Sequence, residues 1–182
     1  MKTIVTVAML AGMVGAGCSQ EPRPANGQVM KIQITSAAFA GGQPIPAKYT
    51  GDGNDASPPL AWTGVPPGAR SLALIADDPD APVGTWTHWV LYDLPPGTAG
   101  LDADTPKTPV LANGARQGLN DFKRTGYGGP APPPGKMHRY FFKLYALDAM
   151  TGRPPNASKQ ELLKAMNGHV LGEGQLMGTY QR

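Results

Sequence analysis

Apolar and polar residues follow a short-period pattern along much of the chain, and this pattern predicts strands rather than long helices. In residues 30–35 the two kinds alternate strictly, which is typical of a strand buried on one face. Residues 71–76 and 89–92 are continuous apolar runs bounded by turn residues, as expected of strands buried on both faces. The aromatic stretch 140–147 and the closing stretch 175–180 complete the predicted strands.

One helix is predicted near the C-terminal end. Ser158 and Glu161 have the spacing of a capping box. Apolar residues then recur at helical spacing, and the pair Asn167–Gly168 is a natural stop. The 24 Gly and 20 Pro residues are spread through the chain as turn punctuation. Together these features predict a mainly β fold, an antiparallel two-sheet β-sandwich with one or two short helices.

The N-terminal residues have the pattern of an export signal. Lys2 is followed by an uncharged stretch to residue 17 that falls short of the roughly 20 apolar residues a membrane span needs. Two small residues then precede Cys18, the only cysteine, as in a bacterial lipoprotein cleavage site. We therefore expect a signal peptide over 1–17, lipidation of Cys18, a tether over 18–28 and one domain over 29–182. Ordinary cleavage nearby, with an incidental cysteine, is the alternative.

This interpretation has consequences for location. The protein is expected to be exported and held in the cell envelope by a lipid anchor on Cys18, in the outer membrane or periplasm if the organism is Gram-negative. Charged residues make up only 16% of the chain, with a net charge of +3 and no basic run, so no nucleic-acid partner is expected.

Two loop segments carry the candidate chemistry. The first follows the buried strand at residues 71–76 and contains Asp78, Asp80 and Pro82, with His88 shortly after. Clustered carboxylates need partners, because each raises the pKa of its neighbour unless it is paired, and His88 is one candidate partner.

The second segment, residues 126–140, is rich in glycine and proline and contains Gly129 and Pro130. Glycines allow the backbone to approach a ligand closely, and exposed N–H groups of such a loop can hold an anion. His138 and Tyr140 have the same parity on the following strand and should face the same side.

With residues 57–62 and 118–121, these two segments resemble the phosphatidylethanolamine-binding protein family in its bacterial Raf-kinase-inhibitor-like branch. The motifs are, in order, SPPLAW, DPDAP with W-x-H-W, GLND, and GYGGP with a later HRY. The resemblance covers roughly residues 31–180. It implies a β-sandwich with a small surface pocket for phosphate-like anions. The residues it implies for that pocket are Asp78, Asp80, Pro82, His88, Gly129, Pro130, His138 and Tyr140.

The resemblance also suggests roles for these residues. The histidines and Tyr140 would donate hydrogen bonds, backbone N–H groups near Gly129 would add others, and Asp78 and Asp80 would orient the histidines and the loop or receive an ammonium group. The alternative for His88 and His138 is an ordinary place in the core. His169 should be a capping or surface residue.

We expect a binding module and not an enzyme, since no G-x-S-x-G nucleophile motif is present and no candidate nucleophile stands beside a base. No cofactor is expected. No metal is expected either, because the sequence has no local H-x-x-x-H pair. The expected ligand is an anionic small molecule or a phospholipid head group. The alternative is an inhibitor of an envelope enzyme or protease that acts through protein contact, and an unrecognised hydrolase is a third hypothesis. A homodimer is left open.

Overall fold

The computed structural model describes residues 29–182. Within this range the chain forms nine strands, one α-helix and one 3₁₀ helix at Ala47–Tyr49. In chain order these are β1 (Met30–Lys31), β2 (Gln33–Thr35), β3 (Leu60–Thr63), β4 (Ser71–Asp78), β5 (Trp86–Leu94), β6 (Gly100–Leu101), β7 (Arg116–Gln117), β8 (His138–Leu147), α1 (Lys159–Met166) and β9 (Val170–Tyr180). The predicted signal peptide, the Cys18 lipidation site and the tether lie outside the described residues.

The strands form two sheets. The larger has the order β1-β9-β8-β4-β5-β7 and the smaller the order β2-β3-β6. Neighbouring strands are antiparallel, except that β1 runs parallel to β9. The predicted mainly β, two-sheet fold is therefore confirmed.

The strand predicted over residues 30–35 is divided between the two sheets. Met30 and Lys31 pair with β9 in the larger sheet, whereas residues 33–35 pair with β3 in the smaller one. Ile32, at the crossing point, is almost fully buried, and its N–H donates to the Glu173 carbonyl at 2.8 Å. The alternating pattern thus reports one buried face correctly but does not reveal which sheet each half joins.

The central strands β4 and β5 are buried on both faces because the larger sheet separates two hydrophobic layers. Leu72 and Leu74 on β4 face the core between the sheets, while Ala73 and Ile75 face α1. Leu162 and Met166 are the buried residues of that helix. This arrangement explains the continuous apolar runs in the sequence, since neither face of these strands meets water.

Helix α1 begins as the sequence predicts. Ser158 caps it, and both halves of the capping box with Glu161 are formed. Within residues 29–182, no helix is both long enough and apolar enough to cross a membrane.

Candidate functional site

The candidate site lies where three strand ends meet. Because β4 is antiparallel to both β5 and β8, its C-terminal end lies beside the N-terminal ends of those two strands. Asp78 pairs with Trp86 in the β4–β5 register, and Asp77 pairs with Phe141 at the start of β8. Two segments far apart in sequence are thereby brought together at one edge of the sandwich.

A cavity of about 210 Å³ opens at this edge. Five of the eight predicted pocket residues line it, namely Asp78, Pro82, His88, His138 and Tyr140. Most of the remaining wall is apolar and consists of Ala81, Val83, Trp86, Phe122, Ala131, Pro132 and Pro133. The volume is smaller than the roughly 300–1,000 Å³ of pockets for drug-sized ligands, so it suits a small group.

A larger, open groove of about 1,040 Å³ runs along residues 29–34, Lys143, Tyr145 and residues 173–175. It contains none of the predicted pocket residues, and one wall directly follows the undescribed residues 1–28. We therefore assign the candidate site to the smaller cavity.

A β-bulge directs His88 toward the cavity. Thr87 pairs with Asp77 and Trp89 pairs with Ala76, so His88 is the extra residue on β5. Simple alternation would place His88 on the same face as Val90, which packs toward α1. The bulge shifts this alternation, as such irregularities often do beside functional sites.

His88 is held between aromatic rings and bound to the backbone. Its ring meets Tyr140 and Phe122 edge to face, with centroids 5.2 and 5.4 Å apart. Its Nδ1 lies 2.6 Å from the Gly128 carbonyl oxygen, which only accepts, so Nδ1 carries the proton. Burial lowers the pKa of His88, opposed by the Gly128 carbonyl and nearby acids. His88 was one candidate partner for the clustered carboxylates, but its Nδ1 is bound to the Gly128 carbonyl instead.

His138 is the histidine that pairs with an aspartate. Its Nδ1 lies 2.7 Å from Oδ2 of Asp78, and both side chains are about 95% buried. The other oxygen of Asp78 accepts the Asp80 N–H at 2.8 Å, which fixes the turn after β4. Asp78 therefore sets the orientation of the His138 ring and leaves its Nε2 edge for the cavity.

Two side chains of the cavity wall hold buried donors without partners. Tyr140 Oη and Trp86 Nε1 are shielded from solvent, and neither makes a hydrogen bond within residues 29–182. Burial, with the nearby Asp78 carboxylate, raises the pKa of Tyr140, although no hydrogen bond of normal geometry joins these two groups. The hydroxyl thus stays protonated as a donor. Buried polar groups without partners are uncommon and often mark functional positions.

Asp80 does not line the cavity and does not orient a histidine. Its carboxylate accepts from the Arg139 N–H at 3.0 Å and from the Arg139 guanidinium at 2.8 and 2.9 Å. These bonds, with the attraction of Arg139 and Lys136, lower the pKa of Asp80 to about 2. The expectation that Asp80 orients the histidines is corrected, because Arg139 follows His138 and turns its side chain outward to meet Asp80.

Gly129 and Pro130 lie behind the cavity wall rather than in it. The Gly129 N–H donates to Asp55 Oδ1 at 2.6 Å, and the Pro130 carbonyl accepts the Gly51 N–H at 2.8 Å. An added Cβ on Gly129 would lie 2.7 Å from the Thr50 carbonyl carbon. The predicted backbone N–H groups for an anion are therefore not available there. Glycine at 129 instead permits close packing of two backbone segments.

Phe122 is a pocket residue that the sequence did not single out. Asp121 Oδ2 accepts the Thr87 N–H at 2.7 Å, which fixes the segment beside β5. Phe122 then contacts Trp86 edge to face, and a Cβ on Gly128 would lie 2.7 Å from the Phe122 ring. The GLND motif at residues 118–121, immediately before Phe122, was the sequence signal that could have identified this residue. Val83, which is 78% exposed at the cavity rim, was also missed and has no such signal.

His169 lies apart from the site. It is exposed, and its Nδ1 is 2.7 Å from Oδ1 of Asp148. Within the part of the chain that the structure describes, no group of three or more His, Cys, Asp or Glu has the arrangement of a metal site.

Comparisons with known proteins give one consistent family. The family model described as phosphatidylethanolamine-binding protein matches residues 35–181. A protein of Methanothermobacter thermautotrophicus called UPF0098 protein is 52% identical over 151 residues, which cover 83% of this chain and 99% of the relative. A UPF0098 protein of Aquifex aeolicus is 49% identical over 160 residues, covering 87% and 92% of the two chains.

Solved structures agree with the family model. One is a homologue of phosphatidylethanolamine-binding protein, CT736 from Chlamydia trachomatis, with a TM-score of 0.77, 41% identity, and coverage of 84% of this chain and 98% of that one. Another is YbcL of E. coli, described as a member of the mammalian family, with a TM-score of 0.77, 32% identity, and coverage of 83% and 98%. With its two-sheet fold and matching motifs, the chain belongs to the phosphatidylethanolamine-binding protein family.

Proposed function

We propose that this protein is a non-catalytic binding module whose small cavity holds an anionic phosphoryl group, such as phosphate or the head group of a phospholipid. The observation that carries this proposal is that two histidines of fixed orientation and two hydrogen-bond donors without protein partners line the same cavity. His88 and His138 are each fixed through Nδ1, while Tyr140 and Trp86 hold donors that lack protein partners.

The energetics favour an acceptor as the ligand. A buried donor without a partner costs about 1–3 kcal/mol. Both donors are shielded from solvent, so a ligand oxygen removes this cost once a shift of the Tyr140 or Trp86 side chain exposes the donor to the cavity. Asp78 also lines the cavity, but both of its carboxylate oxygens already accept hydrogen bonds, Oδ2 from His138 and Oδ1 from the Asp80 N–H, which reduces their repulsion of an anion. Most of the wall is apolar, and a low local dielectric strengthens a hydrogen bond made against it.

The prediction that tests this proposal concerns Tyr140→Phe. Its affinity for phosphoethanolamine or inorganic phosphate, measured by calorimetry, should fall about tenfold because one donor to the anion is lost. The free energy of unfolding should not fall, since the removed hydroxyl has no partner in the protein. Loss of affinity without loss of stability distinguishes a ligand contact from a structural role.

Tyr145→Phe is the matched control. Tyr145 lies on the same strand but packs toward the helix side of the sheet. It should bind like the wild type. Equal affinities for wild type, Tyr140→Phe and Tyr145→Phe would contradict the assignment of the hydroxyl to the ligand, and no binding by the wild type would contradict the proposed function.

The lipid anchor at Cys18, the location in the cell envelope and the inhibition of an envelope enzyme remain predictions from the sequence.

A further inference from the structure

The open groove of about 1,040 Å³ beside β1 is separate from the candidate site and lies on the outer face of the larger sheet. Lys143 and Tyr145 of β8 are cross-strand partners of the two β4 residues that face α1, so they share this face. Helix α1 covers the β4 and β5 part of the face, whereas the groove lies over β8, β9 and β1. Val29 lines the groove, so the residues that precede it in the chain are joined directly to the groove wall.

The groove carries charges of both signs that its own residues do not balance. Lys143 Nζ lies 3.2 Å from the Asp77 carboxylate and Lys159 Nζ lies 2.7 Å from it, so two ammonium groups share one negative charge. Glu173 is exposed and forms no ion pair within residues 29–182. Lys143 is the cross-strand partner of Gln175, two residues beyond Glu173. The unbalanced positive and negative charges therefore lie in neighbouring rows, about 7 Å apart along the strands.

The segment that precedes the groove carries two charges at a matching spacing. Residues 19–28 include Glu21 and Arg23, and each of these is followed by a proline. Proline favours extended backbone for itself and for the residue before it, with a rise of about 3.1 Å per residue. The two charges of the segment should therefore lie about 6 Å apart, close to the spacing of the two rows in the groove.

The direction of the chain allows the opposite charges to meet. Strand β1 runs parallel to β9, with Met30 beside Gly172. The dipeptide at 26–27 is Asn-Gly, which favours a tight reversal of the chain. Counted from such a two-residue turn, position 23 lies opposite Met30 and position 21 lies opposite Ile32. Arg23 then comes within one residue of Glu173, and the acid at position 21 comes within one residue of the row that contains Lys143.

We propose that residues 19–25 bind in this groove of the same molecule, with Arg23 paired to Glu173 and Glu21 paired to Lys143. Each surface ion pair is weak by itself. The segment is attached to the groove through a few residues, however, so its effective concentration there is high, and its two prolines reduce the entropy lost on binding. The groove contains no residue of the anion cavity, so this interaction goes beyond the proposed function and does not depend on it.

The bound segment would orient the domain at a membrane. Beyond position 21 it runs toward Thr179 and Tyr180 of β9, and Tyr180 is the cross-strand partner of His138, which lines the candidate cavity. Cys18, the predicted lipid anchor, would therefore lie toward the cavity end of the domain. The bound segment would hold that end at the membrane surface, whereas a free tether would allow any orientation.

Backbone order parameters from NMR test this proposal in the chain from Cys18 onward, the predicted mature form, prepared without lipid. At low salt the amide at position 23 should have an order parameter of about 0.8 or more, as in rigid backbone. Glu173→Arg and Arg23→Glu should each lower it below about 0.6, because each places like charges together. The double variant Arg23→Glu with Glu173→Arg should restore the rigid value. Salt at about 1 M, where the Debye length is about 3 Å, should release the wild-type segment.

Asp102→Arg is the matched control, because it makes the same charge change at an exposed acid outside the groove. It should leave position 23 rigid. A wild-type order parameter below about 0.6, single variants that stay rigid, or a double variant that stays mobile would each overturn the proposal. Rigidity that depends on protein concentration would also overturn it, since a second copy would then occupy the groove. None of these outcomes bears on the anion cavity, which phosphate binding tests separately.

Discussion

Gly129→Ala is expected to destabilise the protein by about 3 kcal/mol, a large fraction of the stability of a domain this size. The added Cβ would lie 2.7 Å from the Thr50 carbonyl carbon and 2.8 Å from the Gly51 nitrogen, and both of these are backbone atoms. Neither can move as a flexible side chain would. To relieve this clash, the backbone segment of residues 50–55 must move, and that segment also carries Asp55, which accepts the Gly129 N–H. Urea denaturation of the wild type and the variant measures the difference.

Gly97→Ala is the control for this prediction. No atom lies within 4 Å of a Cβ added to Gly97, so this substitution should change the free energy of unfolding by less than about 0.5 kcal/mol. Equal stability of the two variants would contradict the structural role of Gly129.

Asp78→Ala is expected to weaken binding of phosphoethanolamine by about thirtyfold or more. The substitution removes the 2.7 Å bond that orients His138 and the 2.8 Å bond that fixes the turn after β4. Hydrogen bonds to charged groups contribute about 1.5–3 kcal/mol, and each 1.4 kcal/mol corresponds to a tenfold change. Circular dichroism at the titration temperature verifies that the variant is folded, since a buried histidine without its partner also lowers stability.

Asp80→Ala is the matched control, because Asp80 lies two residues away and was predicted for the same pocket. Among residues 29–182 its carboxylate bonds only to the exposed Arg139, so the affinity should change by less than about threefold. Similar losses for the two variants would show that the acidic segment acts as a whole rather than through the Asp78–His138 pair.

The sequence predicted the elements of the fold well because their patterns are local. The buried runs over 71–76 and 89–92 became β4 and β5, and the capping box at Ser158 starts α1. The two strands follow from local hydrophobic runs, and the helix start follows from a cap whose partners lie within four residues of Ser158. The strand over 30–35 was only partly predictable, since the exchange of sheets at Ile32 depends on distant partners.

The site was harder to predict for a physical reason. Parity correctly placed His138 and Tyr140 on one face, but His88 reaches the cavity through a bulge that no periodicity reveals. The roles of Asp80 and Gly129 were misassigned because their partners, Arg139 and Asp55, are set by tertiary packing. A resemblance in motif order identifies which segments meet, whereas coordinates are needed to decide which atoms face the ligand.

The most direct test uses the three histidines of the chain as reporters. In a ¹H–¹⁵N NMR titration with phosphoethanolamine, the ring signals of His88 and His138 should shift with one common saturation curve. His169, exposed and paired with Asp148 away from the cavity, should not move and serves as the internal reference. If saturating ligand leaves His88 and His138 as unchanged as His169, the cavity is not an anion-binding site.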